Sequence, residues 1–555
     1  MEPLSGPEAL FKRHHCNSQG GKLPNNERVL IAGGWRDADA TGTFRPINPA
    51  TGETLEWSYP VSRRADIDIA LEAGSAAANE LLHTPADKIA DFLEHYAHLI
   101  GESSLELSKA ANLETALPVS PRFVDIELPR TIDQLRQAAT AARDRGWTMP
   151  TIDTAPNIRS MHGPLGAPVA VFGPNNFPFA YNAVAGGDFA AAIAVRSPVI
   201  AKVHPSHPRT SQLLAEVAFQ AIQDTGLPPA TLQMVYHMAP EDGFYLVSHS
   251  LIGATGYTGS RRAGLALKAA ADAAGKPIYL EMSSVNPVFI LPGALHERGE
   301  EIVGELHASA MVATGQFCTN PGVVVLQAGD AAEQFIAAMR SRFEDADAGV
   351  LLGPGGVRVV GDAVQSMQSS GAELVTGGAP IEGGACRFQN TLLQASGEDF
   401  LADPEGLQEE AFGNANLFVV ATDDDELEQI AGRFAGNLTG CLYTHSDGDD
   451  DLLYERIAPH LRRRVGRLLN DKMPTGVLVV PSMNHGGPYP ATGHPGFTAV
   501  GIPASLLRFS MLQCYDEVRE HRLPVELRDQ NPTGNLWRSI DGAWTQADVM
   551  APDPS

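Results

Sequence analysis

Pro168-Val169-Ala170-Val171-Phe172-Gly173-Pro174-Asn175-Asn176-Phe177-Pro178 is where the chain changes its rhythm. Four apolar residues in a row, closed by a Gly-Pro turn, suit a strand buried on both faces. Val199-Ile200-Ala201-Lys202-Val203 repeats the pattern, and Leu232 to Tyr236 and Leu251 to Tyr257 extend it. Between these runs lie stretches with helical spacing: Ala183 to Val195, Ser211 to Thr225 and Arg262 to Ala274. Strand alternating with helix predicts a parallel sheet covered on both faces.

The alternation resumes after Pro277. Ile278 to Glu281, Pro287 to Leu291 and Gly322 to Leu326 read as strands, with a helix over Gly299 to Thr314. Leu417 to Val420 and Gly440 to Tyr443 continue this second α/β region. Upstream, Val29 to Pro60 reads as short strands and turns, followed by helices over Asp66 to Ala78, Ala86 to Leu99 and Glu102 to Asn112. Thr131-Ile132-Asp133-Gln134, after Pro129, has a capping-box pattern that opens a further helix toward Ala142.

A chain of 555 residues is too long for one core and predicts two or three domains. Acidic side chains outnumber basic ones 66 to 40, a formal charge of −26 that disfavours nucleic acid or an anionic membrane as partner. The five cysteines are scattered, which argues against a disulfide framework or a zinc motif and for a reducing, cytoplasmic setting. No metal is expected. No apolar stretch reaches membrane-spanning length. Residues 1–27 read as a mobile polar terminus, His14-His15-Cys16 included.

Two runs carry chemistry. Cys318 lies in Gly315-Gln316-Phe317-Cys318-Thr319, an irregular setting after a long helix, and Glu281 ends an apolar strand about 37 residues earlier. A thiol nucleophile and a carboxylate base are the groups needed to oxidise an aldehyde through a thioester and release the acid. Glu281 could instead be a solvated strand end, and Asn176 without Cys318 reads first as a turn residue bonding its own backbone.

With Asn175-Asn176-Phe177-Pro178 and Gly256-Tyr257-Thr258-Gly259-Ser260, these runs resemble the aldehyde dehydrogenase superfamily from about Val29 to Phe509. The resemblance implies Cys318 as nucleophile, Glu281 as the base that activates water, and Asn176 with the Cys318 backbone N–H as oxyanion donors. Met282-Ser283-Ser284 departs from the family's Glu-Leu-Gly-Gly. Relatives that transfer the acyl group to coenzyme A characteristically lack this Glu. The resemblance further implies NAD or NADP as cofactor, without a GxGxxG fingerprint. Lys202 would bond the adenosine ribose, Gly259-Ser260 would open a helix toward pyrophosphate, and Glu410 with Phe412 would hold the nicotinamide riboside.

Coenzyme choice stays open. Pro205 stands where NAD-preferring relatives carry a Glu that repels a 2′-phosphate. His237-Met238-Ala239-Pro240 replaces the Gly-x-Gly-Arg of many NADP users, and His204, His207 or Arg209 would have to compensate.

Several spellings, among them Lys202-Val203-His204-Pro205-Ser206-His207-Pro208 and Ser284-Val285-Asn286-Pro287-Val288-Phe289, are similar to bacterial α-ketoglutaric semialdehyde dehydrogenases. The same branch includes fatty aldehyde dehydrogenases. A dioxo acid aldehyde needs an arginine for its carboxylate, with Arg122, Arg130 and Arg136 as candidates. Arg130 and Arg136 stand about 240° apart on a helix, so only one could face the tunnel. The fold expected is α/β and aldehyde dehydrogenase-like, with a Rossmann-type cofactor domain over 28–146 and 163–280. A catalytic domain over 281–484, a β oligomerisation flap over 147–162 and 485–512, and a C-terminal extension over 513–555 complete it. A homodimer or homotetramer is expected.

Overall fold

The computed structural model describes residues 27–550. The terminus expected over 1–27 lies outside the described residues apart from Glu27. The runs around Val169 build a seven-stranded sheet in the spatial order 278–281, 254–258, 169–172, 199–202, 232–235, 29–31, 34–36. Its first four pairings are parallel. The two at the far end are antiparallel.

From Val169–Phe172 the chain steps outward through 199–202 and 232–235, then returns to place 254–258 on the other side. That reversal is a topological switch point, and a crevice opens at the carboxyl ends of the strands flanking it. Asn176 and Gly259-Ser260 follow those two strand ends, so the order of the strands alone brings them to one crevice. The inner strands are buried throughout, as their unbroken apolar runs require.

The helix expected from Thr131 begins earlier, at Leu128, and runs to Asp144. The capping box does not form. A π-helical segment, Val119–Glu127, feeds directly into this helix and leaves no free N-terminus to cap. Thr131 instead donates its hydroxyl to the Glu127 carbonyl at 2.8 Å.

The second seven-stranded sheet has the order 373–376, 391–396, 415–421, 323–327, 288–290, 437–443, 465–470, all parallel except the first pair. Alternate residues of its strands serve two separate cores. Phe289, Val323, Val325, Leu417 and Leu442 pack on one face, and Val288, Ile290, Val324, Phe418 and Tyr443 on the other. This is the two-residue period of a sheet covered on both sides. Truncating Phe289 or Phe418 to Ala would cost about 3–5 kcal/mol.

A five-stranded sheet joins Ser510–Asp516, Ile158–Pro164, Thr151–Asp153, Arg538–Ile540 and Ala543–Thr545. The boundaries expected at 162/163 and 512/513 therefore fall inside strands, and the 513–555 segment contributes two strands of its own to this sheet. Arg538, fully buried, ties the tail by donating to the carbonyls of Arg528, Asp529 and Ala547. Residues 485–509, expected in the flap, run instead along the face that carries Glu281. Met282 donates to the Ala491 carbonyl at 2.7 Å there. No helix among the described residues is long and apolar enough to cross a membrane.

Candidate active site

One cavity of about 1420 Å³ is lined by Asn176, Lys202, Gly259, Ser260, Glu281, Cys318, Glu410 and Phe412. A single small-molecule pocket measures about 300–1,000 Å³, so this one has room for two ligands end to end. All eight residues singled out for catalysis and cofactor binding meet in it.

Cys318 sits just beyond the 3-10 turn Val312–Gly315, where Ala313 and Thr314 take positive φ angles of 48° and 58°. Gly315 makes the turn possible, because a Cβ there would collide with the Gly413 carbonyl. Cys318 is half-buried. Its N–H meets no protein acceptor among the described residues. Burial, and then the negative charge of Glu281, push the thiol well above its usual range, while Arg130 pulls it down. The resting sulfur is therefore protonated, and its ionisation must be assisted.

Glu281, the last residue of its strand, is 2% exposed. Its Oε1 lies 2.9 Å from His485 Nε2, and its Oε2 is buried without a partner. The same Nε2 stands 3.4 Å from Cys318 Sγ. Sulfur, imidazole nitrogen and carboxylate oxygen all lie within 4.8 Å of one another. His485 is the residue missed in the sequence. The available signal was Asn484-His485-Gly486-Gly487: a Cβ on Gly487 would collide with the Asn437 carbonyl, so the loop must press on the catalytic sheet.

Asn176 is buried and donates Nδ2 to the Gln316 carbonyl at 3.0 Å, two residues before the sulfur. Its own carbonyl accepts from Arg122 Nη2 at 2.9 Å. Arg122 is spoken for: it pairs with buried Glu127 at 3.0 Å and stacks 4.3 Å from the Phe177 ring centroid. Arg130 donates to Tyr181 Oη at 3.0 Å, and the Tyr181 ring lies 5.8 Å from that of His485. Arg136 is elsewhere, lining a shallow surface depression with His98, Glu102 and Asp133. Of the two helix arginines, only Arg130 faces the site. The sequence reading also passed over Arg467, whose charge reaches Cys318 and Tyr181. Its guanidinium donates to the carbonyls of Pro474 and Gly476.

At the other end, Ser260 caps the 13-residue helix Arg261–Ala273 with its side chain, accepting from Ala263 N. The free N–H groups of that first turn favour an anion. Lys202 ends its strand half-buried, and burial pushes its ammonium down to about 8. Glu410 is pushed up to about 7 by burial, against the stabilising effect of Ser283 and the Ser284 backbone. The departure from Glu-Leu-Gly-Gly thus supplies a hydroxyl to Glu410. Phe412 holds a positive φ of 39° beside it. A long cleft with a cationic group and a helix N-terminus at one end and a thiol at the other fits an extended dinucleotide meeting a small carbonyl compound.

Comparison with known proteins agrees with this geometry. Residues 35–462 match the aldehyde dehydrogenase family, and the chain belongs to it. It is an oxidoreductase. The chain is 36% identical to α-ketoglutaric semialdehyde dehydrogenase 2 of Azospirillum brasilense, covering 91% of this chain and 97% of that one. It is 33% identical to the α-ketoglutaric semialdehyde dehydrogenase of Acinetobacter baylyi, over 94% and 99%. The structure of 3,6-anhydro-L-galactose dehydrogenase in complex with NAP shares the fold, with a TM-score of 0.76 and 20% identity over 88% of this chain and 99% of that one.

Proposed function

We propose that this enzyme oxidises α-ketoglutarate semialdehyde to 2-oxoglutarate with NAD or NADP, through a thioester on Cys318. The observation that carries the chemistry is the Cys318–His485–Glu281 contact set, in which one nitrogen lies 3.4 Å from the sulfur and 2.9 Å from the carboxylate. A proton on that nitrogen faces both. As Cys318 ionises, its proton passes to His485 Nε2, which places one N–H between the sulfur and the Glu281 carboxylate oxygen.

The thiolate attacks the aldehyde carbon, and the oxygen gains the charge the thiolate gives up. The unpaired Cys318 N–H and the second N–H of the Asn176 amide are the donors for that oxyanion. Lys202, the Ser260 helix terminus and Glu410 would hold the cofactor, which would supply the hydride acceptor needed to oxidise the thiohemiacetal on Cys318 to a thioester. Glu281, through its unpartnered Oε2, takes a proton from water as the water attacks the thioester carbon. The carbon–sulfur bond then breaks, and the acid and the thiolate are released. A carboxylate base here favours hydrolysis over transfer to coenzyme A.

Two relatives above 30% identity that act on this semialdehyde support the substrate assignment. Arg130, held beside Tyr181, is the group for the distal carboxylate, with Arg467 as a second cation on that wall. The five-stranded sheet, with 510–516 as one edge strand, is the surface for a homodimer or homotetramer. The free thiols of Cys318, Cys386, Cys441 and Cys514 suit the cytoplasm.

A substrate panel with each coenzyme tests the reading. Wild type should turn over the dioxo acid aldehyde far faster than hexanal and without coenzyme A, and Cys318→Ala should turn over neither. Glu281→Ala should accumulate an acyl adduct on Cys318, visible in the mass of the intact protein. An unmodified, fast Glu281→Ala enzyme would remove that carboxylate from the mechanism.

A further inference from the structure

Three segments far apart in the chain converge at Glu281, Cys318 and His485, and each brings a different type of metal ligand. One carboxylate oxygen, the sulfur and one imidazole nitrogen all lie within 4.8 Å of one another, the one such set among the described residues. His485 Nε2 stands 3.4 Å from Cys318 Sγ and 2.9 Å from Glu281 Oε1. A tetrahedral zinc with bonds of about 2.0–2.3 Å sets its ligand atoms about 3.3–3.6 Å apart. The sulfur–nitrogen separation already meets that spacing, and the nitrogen–oxygen separation has to open by about 0.4 Å. Scattered cysteines argue against a zinc motif written along one segment, but not against a site assembled from three.

Each of the three is held from behind by its own backbone contacts. Asn286 Nδ2 donates to the Cys318 carbonyl at 2.9 Å. The His485 N–H donates to Thr498 Oγ1 at 2.9 Å, and its carbonyl accepts from the Ala499 N–H at 2.8 Å. Glu281 forms an isolated antiparallel bridge with Thr492. The Glu281 side chain is 2% exposed, and its Oε2 is buried without a hydrogen-bond partner. An oxygen already out of water gains a partner from a cation and gives up no hydrogen bond to do so. Cys318 and Glu281 both line the large cavity, which offers a way in and room for water as a fourth ligand.

We infer that Cys318 Sγ, His485 Nε2 and the Glu281 carboxylate form a three-ligand site for a thiophilic divalent cation of the zinc class, a reversible cap on the nucleophile. The site rests on geometry; only the loss of turnover it brings rests on the mechanism proposed above. As the sulfur–metal bond forms, the thiol proton leaves to solvent and no electron is transferred. A thiolate and a carboxylate match the two charges of the ion. Glu410 adds negative charge toward the sulfur, against the positive charge of Arg130 and Arg467. One sulfur, one nitrogen and one oxygen favour zinc or cadmium over magnesium and calcium, which take oxygen ligands.

The acidic run Asp447-Gly448-Asp449-Asp450-Asp451 makes no comparable site. Both oxygens of Asp450 accept from backbone, Oδ1 from Gly293 and Oδ2 from Ala294 and His445, so its charge already serves a helix terminus and a turn. At Cys318 the consequence of a bound ion is larger than the loss of one group. A coordinated sulfur cannot attack a carbonyl carbon, a coordinated nitrogen cannot take its proton, and a coordinated carboxylate cannot activate water. One ion therefore silences every side chain that moves a proton or forms a bond in the proposed reaction, and its removal restores them unchanged.

Calorimetric titration of the full-length enzyme, first freed of metal by a chelator, with Zn²⁺, Mg²⁺ and Ca²⁺ tests this. Cd²⁺ serves as an optical probe through the ultraviolet charge-transfer band of a cadmium–thiolate bond. Expected are one Zn²⁺ per chain, a cadmium–thiolate band, and no binding of Mg²⁺ or Ca²⁺ at the same concentration. Zn²⁺ should slow iodoacetamide alkylation of Cys318 by about tenfold or more and stop turnover, with EDTA reversing both. Cys318→Ser should lose the band. His485→Gln and Glu281→Gln should each weaken Zn²⁺ binding by about 10–100-fold, the loss that even outer partners of a metal site produce. Full affinity in both of those variants would mean that the thiol alone takes the ion and would overturn the site. So would wild type that neither binds Zn²⁺ nor is protected by it, a readout that needs no variant to fold. Zn²⁺ binding by an enzyme that forms no acyl adduct from any aldehyde would keep the site and remove the proposed mechanism. An acyl adduct without Zn²⁺ binding would do the reverse.

Discussion

The two seven-stranded sheets hold their functional groups by opposite means. In the first, Lys202 and Ser260 stand at the ends of strands whose apolar sequence places them, and few hydrogen bonds fix the side chains. In the second, the segment bearing Cys318 is held by buried amides. Asn286, at a positive φ of 48°, donates Nδ2 to the carbonyls of both Cys318 and Asn320 at 2.9 Å. Its Oδ1 accepts from Ser284 and Thr439. Asn437 Oδ1 receives the N–H groups of Val285 and Asn286. On the proposed mechanism a coenzyme with many contacts tolerates a loose wall, whereas a sulfur that must meet one carbon does not, and the polar web lies under the sulfur.

Cutting that web should therefore cost far more than cutting the cofactor wall. Asn286→Ala takes a donor from three carbonyls and an acceptor from two hydroxyls, and puts alanine in a left-handed conformation. We expect a loss of about 4 kcal/mol in urea unfolding, together with most of the turnover. Lys202→Met removes a half-buried cation instead. Its stability should stay within about 1 kcal/mol of wild type, with coenzyme affinity down by about tenfold in direct binding. Similar stability losses in the two variants would end the contrast.

A smaller effect separates the electrostatics of the sulfur from its placement. Because Glu281 raises the Cys318 thiol, neutralising it as Glu281→Gln removes repulsion from the thiolate and should move the pH profile of iodoacetamide alkylation to lower pH. His485→Asn removes the ring nitrogen 3.4 Å from the sulfur that takes its proton, and should move it upward. A Glu281→Gln profile that stays in place or rises would show that Glu281 does not raise the thiol.

The first sheet was legible because its information is local: an unbroken apolar run names a buried strand, and the residue after it names the crevice. Cys318, Glu281, Asn176 and Glu410 were legible through motifs that sit on single segments. His485 was not, because what gives it meaning is the approach of a loop to strand 278–281 from about two hundred residues away, and a histidine beside two glycines has no period to read. The capping box at Thr131 misled for the converse reason, since its local pattern was sound but the preceding π-helical segment took the place of a free terminus. The tail after 513 has two short strands, of which Arg538–Ile540 pairs with 151–152 and Ala543–Thr545 pairs with Arg538–Ile540, and no local pattern announces a strand that is completed by such a distant neighbour.

The arginine pair sharpens the comparison at its weakest point, the helix Leu128–Asp144. Arg130 bonds Tyr181 within reach of the His485 ring, whereas Arg136, about 240° round the same helix, faces a surface depression. Arg130→Leu should raise KM for the dioxo acid aldehyde by about tenfold, the worth of one exposed charge-assisted hydrogen bond, and leave hexanal turnover unchanged. Arg136→Leu should change neither. Equal effects of Arg130→Leu on both aldehydes would mean that the guanidinium orders Tyr181 and the aromatic wall rather than pairing a substrate carboxylate, and Arg467 would then be the cation left to do so.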